Sequence, residues 1–157
     1  MDLRKINYPK LIGSIVICQL AGILGSVFTV SSVSTWYVTL EKPFFNPPSW
    51  VFGPVWTALY LLMGISLYLV WTNRHRTRKA LSIFAVQLAL NTLWSILFFG
   101  LRSPLTAFIE IVLLWVAIIL SIIYFYRISR PAAYLLIPYL LWVSFAAVLN
   151  LSIVFIN

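Results

Sequence analysis

Catalysis by side chains needs titratable or nucleophilic groups that can reach one another, and this chain offers few. Its one histidine, His75, sits in the basic run NRHRTRK, and its one cysteine, Cys18, lies in a long apolar run. A Ser–His–carboxylate triad would have to recruit His75 from that polar loop. No glycine-rich phosphate loop is found in the sequence. One thiol makes no intrachain disulfide, and one isolated imidazole makes no metal cluster. Ordinary hydrolysis and phosphoryl transfer are therefore not expected, nor is a metal site. Glu110 stands apart: it falls about six residues into an apolar segment, roughly 9 Å along a helix. An ionisable group there serves a proton path or a ligand, or makes a structural hydrogen bond. With no second buried carboxylate, lysine or histidine to relay a proton, the structural bond is the preferred reading.

Other residues have the spacing of a binding surface. Trp56, Tyr60, Met63 and Leu67 recur at helical intervals, as do Gln87, Asn91, Trp94 and Phe98, and again Trp142, Ala146 and Asn150. Each set places aromatic or small residues beside amides on one helix face. Amides in hydrocarbon must find partners, so these faces should point inward. Two arrangements remain open: an aromatic pocket with a few directional amides, or helix seams in which amides bond neighbours and rings fill space. A third pattern, Ser14, Cys18, Gly22 and Ser26, with Gly25 and Thr29 beside it, reads first as a close-packing seam.

The elements that position these residues are membrane helices. Of 157 residues, 62% are hydrophobic and 9% charged, too few charges to coat a soluble fold. Five segments reach the length of a span: 10–32, 50–72, 79–101, 105–126 and 132–155. The runs are continuous rather than alternating, which argues against a β-barrel. The expected fold is an all-α integral membrane protein, a five-transmembrane-helix bundle in a single domain over 1–157. The first apolar run is long and ends without a small-residue cleavage site, so it reads as a retained helix.

The net charge of +8 is not a nucleic-acid footprint, because the cations cluster at the ends of spans. Arg4, Lys5, Lys10, Arg74, Arg76, Arg78, Lys79, Arg127 and Arg130 fall on one side of a five-span topology. Only Lys42 and Arg102 fall on the other. Nine against two is a strong positive-inside bias. In a bacterial plasma membrane it predicts a cytoplasmic N-terminus, an external C-terminus and an external first loop.

Three stretches resemble the TspO/MBR family, that of the bacterial tryptophan-rich sensory proteins and the mitochondrial translocator protein (peripheral-type benzodiazepine receptor). They are WYVTLEKPFFNPPSWVFGPVWTALYLLMG (Trp36 to Gly64), LNTLWSILFFG (Leu90 to Gly100) and IPYLLWVSFAAVLN (Ile137 to Asn150). The resemblance covers essentially the whole chain and implies a five-helix bundle, often a homodimer, with a pocket opening toward the first loop. It implies tetrapyrrole ligands (porphyrin or haem), benzodiazepine-type and isoquinoline-type compounds and, in some members, sterols, with no cofactor required. Carried over by motif, the ligand-binding residues are Gly22, Tyr37, Trp56, Tyr60, Asn91, Trp94, Trp142, Ala146 and Asn150. The chain departs from the animal members at its end: LNLSIVFIN has neither the tyrosine nor the following cation of their cholesterol-recognition pattern.

Binding and sensing of a porphyrin-like ligand is the leading expectation, since flat macrocycles stack on indole and phenol rings. Transport of porphyrin or a related metabolite is the first alternative. The second is light-dependent porphyrin degradation, for which the resemblance points to Trp56 and Trp142. The stiff first loop reads as a lid: Pro43, Pro47 and Pro48 restrict its backbone, and Lys42 is placed to meet ligand carboxylates. Ser49 is expected to cap the second helix, and Pro54 to bend its entrance.

Overall fold

The computed structural model describes residues 6–73 and 77–157. The expectations for Arg4, Lys5, Arg74, His75 and Arg76 lie outside the described residues. Among the described residues, five helical segments are long and apolar enough to cross a membrane. The first is α1, Tyr8–Val33. A short 3₁₀ turn, Ser49–Val51, leads into α2, Phe52–Trp71. The third comprises α3, Arg78–Ser95, and a π-helical turn, Ile96–Gly100. The fourth is α4, Pro104–Tyr126, and the fifth is divided into α5, Arg130–Leu135, and α6, Ile137–Ile156.

Prolines define the helix starts. Pro104 and Pro131 occupy the first or second position of α4 and α5, where a missing N–H costs nothing. The fifth span differs from the expected unbroken 132–155. Pro138 has no N–H to give to a carbonyl one turn back, and the helix is interrupted at Leu136, whose N–H turns back to Ala133 and Tyr134. The entrance to α2 also departs from expectation. Ser49 makes no capping hydrogen bond; it opens the 3₁₀ turn, closed by Val51 N–H donating to Pro48 at 3.0 Å. Pro54 is the third residue of α2, within the first turn, where a missing N–H costs little.

Without water expulsion to drive them together, these helices associate through close packing and buried hydrogen bonds. Met63, Ile118, Phe125 and Tyr139 are fully buried at the centre. Ser66 Oγ donates to Ala132 O at 2.7 Å, tying α2 to α5. Ser32 Oγ donates to Phe99 O at 2.7 Å, tying α1 to the π turn. The small-residue pattern of α1 forms a seam within the protomer: a Cβ on Gly22 would overlap the Tyr60 ring of α2, and one on Gly25 would come within 3.1 Å of Ser95 Oγ of α3. Gly64 goes further, since its Cβ would stand 2.7 Å from the backbone Cα of Ile15. The upper end of the pattern leaves the seam, because Ser26 is exposed and returns its hydroxyl to Ile23 O.

Gln87, Asn91 and Asn150 are all buried. Asn91 and Asn150 find the partners that the amide argument requires, whereas the Gln87 amide makes no hydrogen bond among the described residues. Glu110 is buried as well, but its carboxyl makes no hydrogen bond to the described residues. The preferred structural hydrogen bond is therefore not made.

Candidate functional site

The three aromatic–amide faces converge near the first loop and wall a cavity of about 560 Å³ between α1, α2, α3 with its π turn, and α6. That falls inside the roughly 300–1,000 Å³ usual for small-molecule sites. Trp56 and Tyr60 come from α2, Trp94 and Phe98 from α3 and the π turn, and Trp142, Ala146 and Asn150 from α6. Two of the stripes divide with depth. Met63 and Leu67 continue the α2 face into the fully packed core, and Gln87 and Asn91 lie buried off the cavity on α3, whereas the whole α6 stripe lines it. Gly22 lines the cavity from α1, and Tyr37 from the loop.

The rings of this wall pack in clusters. Trp94 stacks on Phe98 at 5.1 Å, Trp56 on Tyr60 at 5.5 Å, and Phe52 meets Trp142 edge-on at 6.1 Å. The amides brace this wall rather than project from it. Asn150 accepts from the Trp94 indole N–H at 3.2 Å and donates to Pro104 O at 2.8 Å. Asn91 does not line the cavity. It accepts from the Tyr60 hydroxyl and donates to the Tyr139 hydroxyl at 3.0 Å, holding Tyr60 from behind.

Trp56 and Trp142 differ from Trp94 in one respect. Among the described residues, neither spends its indole N–H on a protein acceptor. Half-buried indoles ordinarily find a partner; these two N–H groups have none among the described residues. Histidine, cysteine, methionine and every charged residue are absent from the described lining. Both tyrosine hydroxyls there are already donated, to Asn91 and to Asn46. The described lining thus offers no uncommitted side chain of the kind that ligates iron, and no general acid–base pair.

Lys42, Pro43, Pro47 and Pro48, the expected lid residues, lie outside the cavity wall, and the loop that carries them is held by hydrogen bonds. Tyr37 donates to Asn46 Oδ1 at 2.8 Å, and Asn46 Nδ2 donates to Pro47 O at 3.2 Å. Glu41 and the last residue, Asn157, exchange two hydrogen bonds of 3.0 Å each. Lys42 donates to Leu40 O at 2.8 Å and stands 5.0 Å above the Tyr37 ring. Tyr37 is almost wholly buried, and that burial pushes its phenol up to about 12. The cavity opens along α1 and α2, where Ile23, Ser26 and Val30 face Gly53 and Thr57 across exposed edges. Gln19 Nε2 donating to Thr57 O at 3.1 Å joins the two helices there.

Sequence periodicity missed Val33, Phe99 and Ile153 of this lining, and it assigned Thr29, which also lines the cavity, to the α1 seam. Adjacent Phe98 and Phe99 both join the wall because the π turn widens the helix there, a feature without a residue signature.

A sequence profile of the TspO/MBR family matches residues 14–156. The tryptophan-rich protein TspO of Archaeoglobus fulgidus is 49% identical over 152 residues, covering 96% of this chain and 99% of that one. The translocator protein of Homo sapiens is 41% identical over 131 residues, covering 81% and 78%. The tryptophan-rich sensory protein of Cereibacter sphaeroides is 37% identical over 122 residues, covering 78% and 77%.

Proposed function

This chain belongs to the TspO/MBR family, and from that premise we propose that it binds and senses a flat tetrapyrrole, porphyrin or haem, in the aromatic cavity. The observation that carries the reading is the pair Trp56 and Trp142, which line the cavity with uncommitted indole N–H groups while Trp94 is braced by Asn150. Their faces supply stacking area and their N–H groups supply direction. Benzodiazepine-type and isoquinoline-type compounds share the flat, largely apolar character that this wall accepts. The ligand reaches Lys42 only after that ammonium leaves Leu40 O, so the carboxylate contact accompanies loop rearrangement. The working arrangement is a homodimer in the membrane with the basic loops cytoplasmic, as the charge bias indicates.

Titration with protoporphyrin, followed by tryptophan quenching, tests the assignment. Trp142→Ala should weaken binding about 10- to 30-fold, the loss typical of a central aromatic contact, with the helical circular dichroism unchanged. Trp94→Phe should weaken it less. Equal affinities for all three proteins would sink the proposal.

A second reading, passage of the ligand through the membrane, is favoured by the exposed edges between α1 and α2. Uptake of a fluorescent porphyrin into proteoliposomes faster than into empty vesicles is the result it requires.

A further inference from the structure

The end of the bundle opposite the first loop carries a second recognition feature. Among the described residues it holds Lys10, Arg78, Lys79, Arg127 and Arg130. Four of these five cations stand over aromatic rings. Two of them share one ring: Lys79 Nζ lies 5.1 Å and Arg127 Cζ 5.7 Å from the centre of Tyr124. Lys79 lies in the first turn of α3 and Arg127 follows α4, so a single phenol brings together cations from two helices.

Among the described residues, no carboxylate neutralises them. The described carboxylates are Glu41, in the loop at the far end, and Glu110, in the first half of α4, which starts at that far end. Both cations are exposed. A shallow depression lined by Thr77, Arg78, Lys79 and Ser82 adjoins them.

Descending from Arg127, the α4 surface presents Ile123, Leu120 and Val116, at steps of four, three and four, each more than 40% exposed. Eleven residues of helix span about 16 Å, which is half of a hydrocarbon core of about 30 Å. The apolar track therefore has the depth of one leaflet. We propose that Lys79 and Arg127, aligned on Tyr124, clamp the phosphodiester of an anionic phospholipid whose acyl chain lies along Ile123, Leu120 and Val116. The ammonium provides a point charge and the guanidinium a planar pair of donors, a combination suited to phosphate. The uncompensated charge selects against a zwitterionic headgroup, whose own cation would be repelled. The track selects a lipid over a free phosphate ion.

Native mass spectrometry of the full chain, released from micelles doped with equal phosphatidylglycerol and phosphatidylcholine, tests the site. The wild type should retain phosphatidylglycerol preferentially. Lys79→Gln with Arg127→Gln should lower its retention about tenfold or more, from roughly 1 kcal/mol for each surface cation. The exchange Lys79→Arg with Arg127→Lys should restore it, and Arg102→Gln, at the other end, should leave it unchanged. Should the double glutamine variant fail to fold, Tyr124→Leu takes its place, because it keeps both charges and loses the ring that aligns them. Undiminished retention in the variant that folds, equal retention of both lipids, or displacement by inorganic phosphate at matched concentration would each overturn the proposal.

Discussion

Gly22 lies against the ring of Tyr60 with no room for a Cβ between them, while the hydroxyl of that ring is held by Asn91. The ring is fixed at both ends, so this contact sets the floor of the aromatic cavity. Gly22→Ala must move either the α1 backbone or the ring. It should destabilise the protein by about 1–3 kcal/mol, the usual cost of overpacking, and lower porphyrin affinity. Tyr60→Phe frees the ring from Asn91, so the double variant should lose less than the sum of the two singles. Thermal unfolding in detergent and quenching titrations measure both effects; strict additivity would show that the two residues are not coupled.

Gly64 should be the less tolerant glycine. Its Cβ would meet the backbone of Ile15 and not a side chain, and backbone yields only by separating α1 from α2. Gly64→Ala should lower the unfolding temperature more than Gly22→Ala, with less direct effect on ligand affinity because Gly64 lies off the cavity. The reverse order of stability would contradict the packing argument.

The first loop is fastened to the end of α6 by the paired hydrogen bonds of Glu41 and Asn157. Asn157→Ala removes both side-chain contacts, and Pro47→Ala with Pro48→Ala restores backbone freedom to the loop. If the loop acts as a lid, both changes should raise the ligand off-rate about 3- to 10-fold, as expected for roughly 1 kcal/mol lost from the closed state. Stopped-flow displacement of protoporphyrin is the measurement. Unchanged off-rates in both variants would leave the loop a connector.

Tyr37 makes loop closure sensitive to alkali. Its phenol is raised by burial from 10.0 to about 12 in the closed loop. The opened loop titrates near the lower value, so closure is fully favoured below about pH 10. It weakens as pH rises toward 12, because the open form loses its proton first. Off-rates should therefore climb between those limits in the wild type. Tyr37→Phe should show higher off-rates throughout, from the lost Asn46 bond, without that alkaline rise.

The amino-acid sequence determined the spans, the basic bias and the inward direction of the three aromatic–amide faces. Continuous apolar length, charge at helix ends and 3.6-residue spacing are local properties that survive without knowledge of neighbours. Residue spacing placed Trp56, Tyr60, Trp94, Trp142 and Asn150 on faces that the fold brings to one cavity. It left open whether each amide meets a ligand or a neighbour. That depends on contacts such as Trp94 with Asn150 and Tyr60 with Asn91, between residues 56 and 31 positions apart. The π turn at Ile96–Gly100 and the break before Pro138 shift the faces beyond them, so a strict period loses its phase there. Periodicity fixes which side of a helix faces inward; only the tertiary structure decides which helix stands opposite, and hence which tryptophans keep a free N–H.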